Sequence, residues 1–251
     1  QYLPPGHFGF DMVIMDEASQ LKPQDALGSI ARANRAVVVG DSNQLPPTTF
    51  FERLVDNADE TEETGLEDTE SILDALAGRY RSARRLQWHY RSQHESLIKF
   101  SNYHFYENEL VVFPSPGEAD GKLGIRWHYI ENAVYGRSKN EKEAKTTALA
   151  AIEHSRQRPE ESLGIVAMNS QQQTLIEDEI EILLKERPEV RPCMENIQKG
   201  EEPFFVKNLE SVQGDERDVI FISVTYGPGN SGRVSHRFGP INSQNGWRRL
   251  N

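Results

Sequence analysis

Two short apolar runs constrain this chain more than any other feature. Residues 10–15 (FDMVIM) lead into Asp16 and Glu17, and residues 36–39 (AVVV) lead into Gly40 and Asp41. Both runs are nearly unbroken in apolar character and rich in β-branched residues, the pattern of parallel strands covered on both faces. Both end in acidic residues, and in open α/β sheets ligands sit outside the carboxyl ends of the strands. A helix over residues 25–34 would supply the crossover that parallel neighbours require.

The alternation continues down the chain. Helices are predicted over 71–77 and 92–105, the second opened by an S-x-x-E capping box of Ser92 and Glu95. A helix over 141–156 follows, and another over 170–187, opened by an S-x-x-Q box of Ser170 and Gln173. Strands are expected at 86–90, 125–130, 163–168, 204–209 and 219–225. The fold class is therefore α/β, a mainly parallel sheet flanked by helices. A boundary at 78/79 leaves residues 1–78 with only two strands. That is too few for a sheet of its own, so this piece reads as the remainder of a larger domain, with 79–251 as the second domain.

Composition sets outer limits. The 251 residues are 37% hydrophobic and 27% charged, with a net charge of −11, a soluble globular balance. No apolar run approaches the ~20 residues of a membrane span, and the first residues, QYLPP, have no signal-peptide character. Cys193 is the single cysteine, which excludes a disulfide framework and makes a reducing, cytoplasmic compartment the default. Eight of the excess acidic charges fall in residues 56–70, read as a solvated loop. Arg79, Arg81, Arg84, Arg85 and Arg91 follow, so the net charge does not exclude a nucleic-acid partner.

Four stretches carry chemistry. Asp16 and Glu17, at a strand end in DEASQ, suit a magnesium-nucleotide site, one carboxylate holding the ion and the next deprotonating a water. In GDSNQLPP, Gly40 permits a tight turn, and Gln44 both donates and accepts, so it can sense a terminal phosphate. In WHYRS, Arg91 can lay its planar fork on phosphate oxygens. The fourth stretch is SVQGDE, residues 211–216, before the last strand. Asn169 and Ser170 at a helix start could bind a backbone phosphate, or they could simply cap the helix. Trp88, Tyr90, Tyr103 and Phe105 are read as core residues, with base stacking as the other reading. His89, His94 and His104 have no metal-ligand frame and are read as structural. Met12, Met15 and Met168 are read as core, and Cys193 falls in a proline-flanked turn without a role.

DEASQ, GDSNQLPP, HYRS and SVQGDERD, in that order, resemble motifs II to V of superfamily 1 helicases, most of all the 5′-to-3′ branch (type 1B) that includes RNA-decay helicases. The run LQWHYRSQHESLIKFSNYHFYENELVVFPSP looks like a bacterial helicase-like branch. The resemblance implies two RecA-like P-loop NTPase lobes, the first partial and the second nearly complete, with ATP and Mg²⁺ between them and a single strand of DNA or RNA as partner. It makes Asp16 the Mg²⁺ residue, through water, and Glu17 the general base. It makes Gln44 the coupler of γ-phosphate to nucleic acid and Arg91 the arginine finger. Asp41, Gly214 and Glu216 fall among the nucleotide-binding residues, and Asn169 and Ser170 on the nucleic-acid path.

Two departures qualify the resemblance. No G-x-x-x-x-G-K-[ST] occurs in the 251 residues, and Arg248-Arg249-Leu250-Asn251 match only the opening of motif VI. The chain therefore reads as part of a motor core, inactive by itself and missing the N-terminal part of the first lobe. A non-catalytic nucleic-acid clamp with helicase-like lobes is the alternative reading.

Overall fold

The computed structural model describes residues 8–47, 71–80, 83–115, 123–243 and 245–251. The acidic run 56–70 lies outside the described residues. The chain divides into two compact units, the first reaching to Arg126 and taking in Trp247–Asn251, the second spanning Trp127–Gly246. This division differs in position from the sequence boundary at 78/79. In both units the architecture is α/β, and the strands pair in parallel, as expected.

In the first unit, β1 (Val13–Met15) pairs in parallel with β2 (Ala36–Val38), in the register Val13↔Ala36, Ile14↔Val37, Met15↔Val38. The crossover is a 3-10 turn, Ala18–Gln20, followed by α1 (Pro23–Ile30). Pro23 starts that helix where its missing N–H costs nothing. α2 (Ile72–Arg79) is capped by Ser71, whose hydroxyl accepts the Asp74 N–H. Met15, Ala18, Ala26 and Ile72 form the core here, with Val13, Leu21, Val38 and Leu73 against it.

That core covers one face of the strand pair. Val13 and Met15 point into it, while Ile14, between them, is 67% exposed and its register partner Val37 is 42% exposed. The expectation of strands covered on both faces is thus corrected among the described residues. Period-two alternation sends odd and even residues to opposite faces, and helices pack on one of them. Met12, expected in the core, is exposed for the same reason.

Further along the first unit, β3 (Trp88–His89) pairs in parallel with β4 (Val111–Val112), with α3 (Ser96–Phe105) between them. β4 was not anticipated. The Ser92–Glu95 capping box does not form. The Ser92 hydroxyl bonds His89 Nε2 at 2.7 Å, and the Glu95 carboxylate accepts the Ser115 N–H at 2.5 Å. Trp88, Tyr90 and Tyr103, read as core, are exposed, Tyr90 by 84%. Residues 125–130, expected as a strand, pair with no described strand, and Ile125, Trp127 and Tyr129 are exposed.

The second unit holds a three-stranded parallel sheet in the order β6-β5-β7, built from β5 (Leu163–Ala167), β6 (Phe205–Asn208) and β7 (Val219–Ser223). β3 lies outside this sheet, so the strand expected at 86–90 does not extend it. α4 (Glu141–Gln157), α5 (Ser170–Glu186) and α6 (Arg191–Lys199) contribute to its core. Every residue of β5 is buried, and Ala144, Ala148, Ala151, Ile152, Ile176, Ile180 and Leu183 pack around it. Gly164 is required in β5 because the Phe205 ring crosses it, and a Cβ there would sit 2.5 Å from that ring. Cys193 lies inside α6 rather than in a turn. The second capping box is corrected by one residue: Asn169, not Ser170, is the cap, and Gln173 turns instead to Asn208 and the Val206 carbonyl. No helix among the described residues is long and apolar enough to cross a membrane.

Candidate functional site

The carboxyl edge of the β1–β2 pair brings the first two motifs into contact. β1 ends at Met15, and Glu17 adopts φ 49°, ψ 38°, a left-handed conformation uncommon outside glycine. Asp16 steadies it by accepting the Glu17 N–H on Oδ1 at 2.9 Å. The chain then tightens into the turn Ala18–Gln20, and Gln20 Nε2 donates to the Glu17 carboxylate at 3.4 Å. β2 is continued by Val39, whose N–H donates to the Met15 carbonyl at 2.8 Å and whose carbonyl accepts the Ala18 N–H at 2.9 Å. Gly40 sits so close to this turn that a Cβ would lie 3.0 Å from the Ser19 nitrogen and 3.1 Å from that of Ala18. Glycine is what lets the two loops touch. Asp16 and Glu17 are both exposed at this edge.

The loop after Gly40 is organised by Asp41. Its Oδ1 accepts the Asn43 N–H at 2.9 Å, its carbonyl accepts the Gln44 N–H at 3.1 Å, and its Oδ2 accepts the Tyr106 hydroxyl at 2.5 Å. Both carboxylate oxygens are thus engaged by the protein, so Asp41 shapes the loop that carries Gln44. Burial first, then the bond to Asp41, pushes the Tyr106 phenol well above its ordinary pKa. Leu45, Pro46 and Pro47 are buried behind half-buried Gln44 and stiffen the segment.

Arg91 follows β3 and is exposed. The local chain is pinned by His89, whose Nε2 takes both the hydroxyl and the N–H of Ser92, at 2.7 and 3.3 Å. Burial lowers the His89 pKa, and the Arg91 charge lowers it further, so the ring is kept neutral as an acceptor. In the same unit, Trp247 stacks on Phe105 with ring centres 5.3 Å apart, and Arg249 is buried.

The other predicted residues lie in the second unit. Asn169 Oδ1 accepts the Gln172 N–H at 2.8 Å, and Ser170 is the exposed first residue of α5. Gly214 adopts φ 85° in the loop between β6 and β7, next to Asp215, which pairs with Lys207 at 2.5 Å. Glu216 is exposed, and Arg217 donates to its carbonyl and to that of Pro203 while lying 4.7 Å over the Phe205 ring.

Sequence reasoning missed a buried polar cluster at the carboxyl edge of β5 and β7. Gln172, fully buried, accepts the Asn140 N–H at 2.8 Å and donates to the Asn140 carbonyl and the Ser223 hydroxyl. The Glu143 carboxylate accepts the Ser223 hydroxyl at 2.7 Å and the Thr225 N–H at 2.9 Å. Thr225 is thereby held at φ 68°, a position strained for a β-branched residue. One signal was available in the sequence: Asn140-x-x-Glu143 has cap spacing, and Asn140 caps α4 by accepting the Glu143 N–H at 3.2 Å, while its side-chain amide, not its backbone N–H, donates to the Glu143 carboxylate at 3.0 Å.

Chemically, the exposed oxygens of Asp16 and Glu17 fit a hard cation that keeps most of its waters, as Mg²⁺ does on a nucleotide. No group of three or more His, Cys, Asp or Glu among the described residues could cage an ion with protein ligands alone.

Two family models, each described as an AAA domain, match the chain over residues 5–52 and 68–251. The chain is similar along 99% of its length, at 34% identity, to a protein of Mycoplasma genitalium described as uncharacterized ATP-dependent helicase MG140, of which it covers 22%. Over 40% of its length it is 38% identical to the DNA replication ATP-dependent helicase/nuclease DNA2 of Saccharomyces cerevisiae, covering 6% of that protein. Over 44% it is 28% identical to the DNA-binding protein SMUBP-2 of Rattus norvegicus, covering 11%. The chain thus spans about a fifth of the length of the mycoplasmal relatives it matches.

Proposed function

The chain belongs to the AAA-domain family of superfamily 1 helicases, and from that premise we propose that it forms part of the motor core of an ATP-dependent nucleic-acid helicase or translocase. In this reading residues 1–78 complete a first RecA-like lobe whose N-terminal part lies elsewhere in a longer protein, and residues 79–251 form the second. The longer protein is of the 1B type, works in the cytoplasm and moves along single-stranded DNA or RNA. By itself the chain, which contains no Walker A loop, does not turn ATP over.

The observation that carries this reading is the contact between the Asp16–Glu17 turn and the Gly40 loop at the carboxyl edge of a parallel pair. Such an edge is where α/β folds bind ligands. Bound Mg²⁺-ATP supplies the phosphoryl group and the charge that neutralises it. Asp16 holds the ion through water, and Glu17 takes the proton of the attacking water. Gln44, fixed by the Asp41 turn and the prolines behind it, contacts the terminal phosphate. Arg91 lays its guanidinium on the phosphoryl oxygens. Gly214 and Glu216 line the nucleotide cleft, and the start of α5 at Asn169 and Ser170 receives a backbone phosphate.

Glu17→Gln in the longer protein tests the reading. The general-base role predicts ATP affinity within about tenfold of wild type and turnover lower by roughly 10² to 10⁴. Nucleic-acid binding by a longer protein with no ATP turnover in either form would instead favour the clamp.

A further inference from the structure

Three stretches remote in sequence meet on one hydroxyl in the first unit. Tyr106, the residue after α3, donates its hydroxyl proton to Asp41 Oδ2 at 2.5 Å and accepts from Asn251 Nδ2 at 2.7 Å. The same Asn251 amide donates to the Asn43 carbonyl at 3.3 Å. Asn43 Nδ2 donates to the Phe105 carbonyl at 2.8 Å, closing the ring of contacts. Trp247 adds a stacked contact on Phe105. Four hydrogen bonds therefore join the loop at 41–43, the end of α3 and the segment 247–251.

The chemistry of this junction is demanding. A phenol has one proton, and here it goes to a carboxylate, a charge-assisted bond stronger than a neutral one. That leaves a lone pair for Asn251. Burial and Asp41 hold the phenol protonated over the whole physiological range, so it stays a donor. Asp41, Asn43, Tyr106 and Asn251 are all half-buried, where losing a partner costs more than forming the bond gains.

We propose that Tyr106 is a positioning residue, a latch that ties the loop carrying Gln44 to the segment carrying Arg248 and Arg249, so that the two are set as one. Its consequence for turnover rests on the nucleotide-site reading, whereas the latch itself does not. Gln44 follows the latched Asn43 directly, and Arg248 and Arg249 lie between two latched residues, Trp247 and Asn251. A change at either stretch is therefore delivered to the other through the Tyr106 phenol and the Asn251–Asn43 bond beside it.

Hydrogen exchange on this chain tests the latch. Tyr106→Phe keeps the ring and removes the bonds. The Asn43 and Gln44 amides should then exchange about tenfold faster or more, with α3 changed less than twofold. Asn251→Ala should do the same to Asn43 and Gln44, although it lies about two hundred residues away. The two substitutions combined should add little to either alone. Asp41→Asn should bring the Tyr106 phenol, followed by carbon NMR of labelled tyrosine, to a lower titration point, a signature that a space-filling ring does not give. Should Tyr106→Phe fail to fold, Asn251→Ala and Asp41→Asn carry the test. Unchanged exchange at Asn43 and Gln44 in Asn251→Ala, or an unmoved phenol titration in Asp41→Asn, would overturn the latch. In the longer protein, Tyr106→Phe should lower nucleic-acid-stimulated kcat about tenfold or more with KM for ATP within about threefold. Wild-type kcat in that variant would overturn the positioning role. A longer protein without any ATP turnover would instead overturn the nucleotide-site reading, with the latch still judged by exchange.

Discussion

β5 and β1 are both short apolar strands in parallel ladders, yet they live in opposite surroundings. All five residues of β5 are buried between neighbours on both edges and helices on its faces. β1 has one neighbour and one covered face, and its middle residue, Ile14, is largely in water. The chemistry-bearing carboxylates sit at the end of β1, while the end of β5 leads to a helix cap and a closed polar cluster. The larger buried core thus lies in the second unit, and the exposed carboxylates of Asp16 and Glu17 lie at the thinner edge of the first.

Core truncations should break this contrast most visibly. Ile165→Ala empties a fully buried site and is expected to cost about 2–5 kcal/mol in denaturant unfolding. Ile14→Ala, the matching change in β1, should stay within about 0.5 kcal/mol. Equal costs would mean that the open face of β1 is covered in solution.

A smaller effect separates the cap of α5 from its neighbour. Asn169→Ala removes the acceptor of the Gln172 N–H and should cost about 1 kcal/mol, whereas Ser170→Ala should cost a few tenths at most. Reversal of that order in thermal unfolding would restore the S-x-x-Q box.

The smallest effect concerns pH. His154 is half-buried with its ring edge-on to Phe221, and burial lowers its pKa, with Glu161 at 3.6 Å opposing in part. Its folded pKa therefore lies below the unfolded value of about 6.5. As pH falls, the unfolded chain takes up the proton first. The stability linked to this group is fully present above about pH 6.5 and is lost as pH falls through the folded value. His154→Gln should flatten the loss of stability below about pH 6.5, and an unchanged slope would assign the dependence to other groups.

Much of this arrangement was legible in the sequence because it rests on local rules. Apolar runs gave β1, β2, β5, β6 and β7 to within a few residues, and the helices expected at 141–156 and 170–187 are α4 and α5. Cover was not legible: the same run, VIM or GIV, is half-open in one unit and closed in the other, depending on residues far away in the chain. Capping also slipped. Ser170 matched the box pattern, but Asn169, one residue earlier, had the extended backbone that a cap needs. For the site, residue types were legible and partners were not. That Tyr106, 65 residues on from Asp41, takes one of its oxygens is visible only in the fold. Trp88 and Tyr90 looked like core from composition, and they are exposed because their strand has a single two-residue partner.

The central claim is that the exposed groups at the edge of the first unit act on ATP, and Arg91 tests it most directly. Arg91→Ala in the longer protein should leave equilibrium ATP affinity within about tenfold. Single-turnover hydrolysis in the presence of single-stranded nucleic acid should fall by roughly a hundredfold or more, since an arginine finger is worth about 10³ to 10⁵ in related phosphoryl transfers. Arg91→Lys should rescue poorly, because a point charge lacks the planar fork. Single-turnover hydrolysis at the wild-type rate in Arg91→Ala would contradict the account and leave Arg91 as a surface residue of the β3 turn.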